Sequence, residues 1–136
     1  MNTAQSDQAA RRFIEALHAI ERDGEAALEP MVALFADSAV ITNAALKQAD
    51  HVREGREGAT RFWTDYAATF RGARTEFHQV TVGDKAAGLF WTTRGARVGD
   101  EASIDYDGAT LLEFDGGDDG RIVRFTGYYD TRALSA

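Results

Sequence analysis

The stretch "DYDGATLLEFDGGDDGRIVRFTGYYDT", residues 105–131, decides the fold. Two runs of period two, residues 103 to 114 and 121 to 130, flank an acidic, glycine-rich segment from Asp115 to Gly120. That pattern predicts two antiparallel strands joined by a hairpin turn. Tyr106, Gly108, Thr110, Leu112 and Phe114 share one face of the first strand. In the second, Val123, Phe125, Gly127 and Tyr129 alternate with Ile122, Arg124, Thr126 and Tyr128.

The same period extends upstream. Residues 74 to 82 and 85 to 98 read as two more strands, with turns at Gly83–Asp84 and Gly99–Asp100. Before Arg74 the period becomes helical. Phe13, Ile14, Leu17 and Ile20 mark a first helix over residues 7 to 22, which leaves Arg12, Glu15 and Arg22 for solvent. Ser6 is the expected cap; Asp23–Gly24 offers a stop, while the helix formers from Glu25 to Leu28 offer an extension. Pro30 suits the first turn of a second helix whose buried stripe is Leu28, Met31, Val32 and Phe35. The third helix is the plainest: Ala59, Phe62, Trp63, Tyr66, Ala67 and Phe70 line one apolar face. Between the last two, Ser38 to Leu46 and His51 to Glu54 read as short strands. Helices grouped first and strands last predict one α+β domain over residues 1–136, with helices on one face of a mainly antiparallel sheet.

Composition excludes several functions. With 15 basic and 22 acidic residues the net charge is −7, so the protein's field repels phosphate backbones and nucleic acid is not expected as a partner. No run is long and apolar enough to span a bilayer, and the polar start does not resemble a signal peptide, which makes the cytoplasm the default location. The absence of cysteine removes disulfides, thiolate zinc sites and cysteine nucleophiles. No two histidines stand at metal-ligand spacing. "DGGDDG" lacks the ligand spacing and terminal glutamate of a calcium loop, and "GREG" lacks the length and lysine of a phosphate loop. No cofactor or metal is expected.

Four segments, "LFADSAV" (34–40), "REGREGATRFW" (53–63), "FWTTRGARVG" (90–99) and "LEFDGGDDGRIVRFTGYYD" (112–130), carry a resemblance in their order and spacing. The chain, over about residues 10 to 134, resembles the nuclear transport factor 2-like or SnoaL-like superfamily, which includes ketosteroid isomerases, limonene epoxide hydrolases and polyketide cyclases. The resemblance implies a cone-shaped α+β barrel, three N-terminal helices wrapped by a strongly curved sheet, with a deep pocket at its open end. It turns the Tyr106 and Phe125 faces towards that pocket. The implied ligand-lining set is Phe13, Leu17, Asn43, Trp63, Tyr66, Trp91, Tyr106, Thr110, Phe125 and Tyr129. Aromatic bodies with a few hydroxyls suit a small apolar or aromatic ligand in a pocket of about 300–1,000 Å³. The resemblance also implies a homodimer through the outer sheet face, where Ala109, Leu111, Ile122, Thr126 and Tyr128 mix with Glu113 and Arg124.

The catalytic positions of those relatives do not carry over intact. Where a ketosteroid isomerase keeps a tyrosine donor, a carboxylate base and a protonated aspartate, this chain has Phe13, Asn43 and Thr110. Against the epoxide hydrolases, Asn43 matches an asparagine and Arg94 an arginine. Ile41, Ala96 and Gly127 replace a tyrosine, an aspartate and the water-activating aspartate. The remaining acid–base candidates are Asp107, which strict alternation points outward and a twist or bulge at Gly108 would turn inward, and His18, which follows Leu17 on the first helix; His51 and His78 are the other histidines. Two functions therefore stand side by side. One is a small-molecule-binding protein. The other is an isomerase, cyclase or hydrolase with a different acid–base arrangement. A buried carboxylate or histidine at the cavity would separate them in favour of the enzyme.

Overall fold

A computed structural model describes residues 1–70, 72–96, 103–117 and 119–134. Helix α1 spans Thr3–Asp23, α2 Leu28–Val32, α3 Ala44–Gln48 and α4 Gly55–Phe70. Strands β1 (Phe35–Asn43), β2 (Arg53–Glu54), β3 (Arg74–Val82), β4 (Ala86–Ala96), β5 (Ser103–Phe114) and β6 (Ile122–Tyr129) form one sheet in the order β2-β1-β6-β5-β4-β3. Its pairs are antiparallel except β1 with β6, which run parallel. The domain is α+β, with the helices against a mixed sheet. The turn expected at Gly99–Asp100 lies outside the described residues.

The first helix starts earlier than its apolar period shows. Asn2, rather than Ser6, is the cap: its side chain accepts from Gln5 N–H while Gln5 Oε1 accepts from Asn2 N–H, a reciprocal capping box. Ser6 is buried inside the helix and its hydroxyl donates to the Asp84 carbonyl in the β3–β4 turn, pinning α1 to the sheet. Gly24, at φ 69°, stops α1 where a side chain would be strained. The second helix is only five residues long, so Phe35 belongs to β1 instead of the α2 stripe. Residues 44–46, expected as the end of a strand, instead open the helix over residues 44–48, because the side-chain carbonyl oxygen of Asn43 caps it through Leu46 N–H at 2.8 Å. The strand expected from His51 shrinks to Arg53–Glu54.

Bulges bend the sheet over its helices. The β3–β4 register shifts at His78, and β5–β6 shifts so that Phe114 faces Ile122 while Glu113 faces Arg124. The second shift corrects the parity read from sequence: Ile122 is 1 % exposed and belongs to the core, while Val123 sits at the irregularity. Beyond it the alternation holds, with Phe125 and Gly127 buried and Arg124 and Tyr128 exposed. Side chains of α1, α2 and α4 and the inner sheet face form one core containing Phe13, Leu17, Ile20, Met31, Phe35, Trp63 and Leu112. Each large apolar side chain sealed there contributes roughly 1.5–3 kcal/mol relative to exposure.

Candidate functional site

A cavity opens where α1 and α4 face β4, β5 and β6. All ten expected ligand-lining residues border it: Phe13 and Leu17 from α1, Asn43 from the end of β1, Trp63 and Tyr66 from α4, Trp91 from β4, Tyr106 and Thr110 from β5, and Phe125 and Tyr129 from β6. Phe62, Phe70, Thr75, Phe77 and Gly127 complete the wall. Its volume is about 80 Å³, well below the expected 300–1,000 Å³. The reason is ring packing. Phe62, Trp63 and Phe125 meet edge-to-face at 4.8 to 5.5 Å, and Tyr66 lies 4.9 Å from Phe70, so the rings occupy much of the space the sheet encloses.

Trp91 points inward, as the lining set requires. Its ring covers Gly108, where a Cβ would come within 2.4 Å of the indole, and its Nε1–H donates to Thr110 Oγ1 at 3.0 Å. A glycine at 108 is therefore what lets the indole come this close to β5. Gly127 pairs with Asn43 across the parallel strands, and a Cβ there would press on Asn43 Cβ at 3.2 Å. The side-chain oxygen of Asn43 is taken by the α3 cap, which leaves Nδ2 as the group the amide can offer a ligand. Trp63 Nε1 is the buried side-chain polar atom without a partner among the described residues.

Both residues singled out as acid–base candidates lie elsewhere. Asp107 is exposed on the outer sheet face, where it accepts from Thr92 Oγ1; that hydroxyl's one hydrogen being spent, His78 Nε2–H donates to Thr92 at 2.6 Å. His18 donates from Nε2 to the Thr75 carbonyl at 2.9 Å and borders an outside groove with Arg22 and Arg74. Its ring packs against Phe77, but it does not line the cavity. Among the described residues, no group of three or more His, Asp or Glu side chains is placed to hold a metal ion. No helix there is long and apolar enough to cross a membrane.

The group that sequence reading missed is Glu21. It is 6 % exposed at the end of α1 and accepts three hydrogen bonds. Thr75 N–H donates to Oε1 at 3.1 Å; Tyr66 Oη–H and Thr75 Oγ1–H donate to Oε2 at 2.9 and 2.6 Å. Thr93 Oγ1 lies 2.7 Å behind Thr75 Oγ1. Burial first, then the Glu21 charge, holds the Tyr66 phenol proton well above the usual tyrosine range. Burial raises Tyr106 strongly, with Tyr129 adding to it, and raises Tyr129 as well. The missed signal was a charge on the apolar face: position 21 follows Leu17 by four and Phe13 by eight.

A SnoaL-like domain model matches residues 10–125. The chain belongs to the SnoaL-like family. No curated protein matches it. A nuclear transport factor 2-like protein of unknown function from Burkholderia pseudomallei superposes with a TM-score of 0.77 at 18% identity, covering 97% of this chain and 98% of that one. A protein proposed to be an isomerase from Rhodopseudomonas palustris scores 0.73 at 19% identity, over 93% and 92%. The epoxide hydrolase/cyclase-like enzyme SalBIII, of pyran-ring formation in salinomycin, scores 0.73 at 14% identity, over 95% and 96%. At these identities the SnoaL-like chain shares their fold.

The buried phenols set an alkaline limit. Their folded-state affinity for the proton exceeds the unfolded value near pH 10, so the stability they contribute is complete below about pH 10 and is lost as pH climbs towards the folded value. In a phenolate-absorbance titration, Tyr66 and Tyr106 should ionise only as the chain unfolds, and Tyr66→Phe should flatten the alkaline loss of stability. All four phenols ionising in the folded protein near pH 10 would contradict this.

Proposed function

We propose that this SnoaL-like chain binds a small, mostly apolar molecule in the cavity between α1, α4 and the sheet. The observation that carries the reading is the cavity itself: aromatic on most of its wall, yet bordered by Asn43, Thr75 and Thr110. A space of about 80 Å³ limits the occupant to a small molecule, at most a single ring or a short chain. Acid–base turnover, the chemistry of isomerases and cyclases, is the second reading. The buried Glu21, touching the cavity-lining Tyr66, favours it.

Toluene, titrated against the protein by NMR, should shift the cavity resonances saturably, Trp91 and Phe125 among them. Leu17→Phe, which pushes a ring into the space, should abolish the shifts while the fold survives. Toluene shifts confined to the outer surface would sink the proposal.

We also propose that the chain works as a homodimer built on the outer sheet face. Phe90, Ala109 and Tyr128 form one cross-strand row there, with Phe90 44% and Tyr128 53% exposed. Charged pairs flank the row: Arg94 with Glu76 and Asp105 towards one edge, Arg124 with Glu113 towards the other. An apolar centre within a charged rim is the anatomy of an interface. Ile122, assigned to this face from sequence, is in the core and takes no part. Sedimentation should give a dimer that Tyr128→Glu dissociates; a 14.9 kDa species at micromolar concentration would refute it.

A further inference from the structure

The hydrogen bonds that end on Glu21 have a direction, and the direction has a consequence for what the cavity can hold. A carboxylate only accepts. Tyr66 spends its one hydroxyl hydrogen on Oε2, and so does Thr75. Thr93, 2.7 Å from Thr75 Oγ1, must therefore donate its own hydrogen to Thr75. Every hydroxyl hydrogen in this group points towards the acid. What Tyr66 has left for a ligand is its oxygen lone pairs. Thr75 has already received Thr93 on one of its own.

We propose that, at this end, the cavity selects neutral ligands that donate a hydrogen bond, from a hydroxyl or a ring N–H, over ligands that can only accept one. The inference rests on the cavity being a ligand site. A donor placed against Tyr66 Oη completes the chain ligand → Tyr66 → Glu21, and each bond in such a series polarises the next. A carbonyl or ether placed there meets an oxygen whose hydrogen is already committed. An anion would also face the buried Glu21 charge at reduced dielectric. Asn43 Nδ2 supplies a donor elsewhere on the wall, so an acceptor-only ligand can still enter, but it gains nothing from Tyr66.

A tether between α1 and β3 is the simpler role for Glu21, and its bonds to Thr75 do serve as one. That role does not require Tyr66, a cavity residue, to join. Nor does a carboxylate favour the last turn of a helix, where the dipole opposes it.

Pyrrole and furan separate the two roles. They are near-identical five-membered rings, one an N–H donor without an acceptor lone pair, the other an acceptor only. NMR titration of the full chain should give pyrrole about tenfold tighter binding than furan, the difference expected of one hydrogen bond to a charge-linked acceptor. Glu21→Gln, whose amide can donate to Tyr66 and turn its hydrogen outward, should bring the ratio towards one. Tyr66→Phe should do the same, and it carries the test alone if Glu21→Gln does not fold. Equal binding of the two rings to the unaltered protein, or a ratio that survives both substitutions, overturns the proposal and leaves Glu21 a tether. If neither ring binds the unaltered protein, the cavity is not a ligand site, and the preceding reading falls together with this one.

Discussion

Phe125 is where the fold is drawn together. Its ring lies 5.4 to 6.4 Å from those of Phe13, Phe35, Phe62 and Trp63, which come from α1, β1 and α4. One side chain on β6 thus fixes two helices and the parallel strand at once. Edge-to-face ring pairs contribute roughly 0.5–1.5 kcal/mol each beyond the area they bury, so the cluster is a strong local restraint. These rings, meeting at steep angles, occupy most of the space between the helices and the sheet. The gap they leave, bounded on its far side by Trp91, Tyr106 and Tyr129, is the cavity.

The polar part of the wall obeys a different constraint. A carboxylate taken out of water must be hydrogen-bonded, and Glu21 draws Tyr66, Thr75 and, behind it, Thr93 into one array. The array links the end of α1 to β3 and β4 and gives one region of an aromatic cavity a fixed hydrogen-bond polarity. Gly127 pairs with Asn43 across the parallel strands and lets that residue, the cap of α3, close against β6.

Much of this was legible in the sequence. The period of two from Arg74 onwards and the stripe from Ala59 to Phe70 reflect burial on one face, and they located β3 to β6 and α4. The ten lining residues followed from face parity combined with family resemblance. Failures occurred where local rules broke. A bulge carried Ile122 inward, and a side-chain cap turned residues 44–46 from strand into the start of a helix. Asn2, outside the apolar period, began α1 four residues before the expected cap. Glu21 is hidden in the sequence because its charge breaks the apolar pattern of α1, although its place on that pattern is the signal. Cavity volume depends on ring orientations, which no one-dimensional pattern contains.

The central claim is that an open, mostly apolar space lies between the helices and the sheet. Xenon tests it most directly, since it enters apolar cavities without needing a hydrogen bond. A crystal of the protein pressurised with xenon should show an anomalous peak among Trp63, Trp91 and Phe125, reduced by Leu17→Phe. Ordered rings filling that volume, with no xenon among them, would contradict the account.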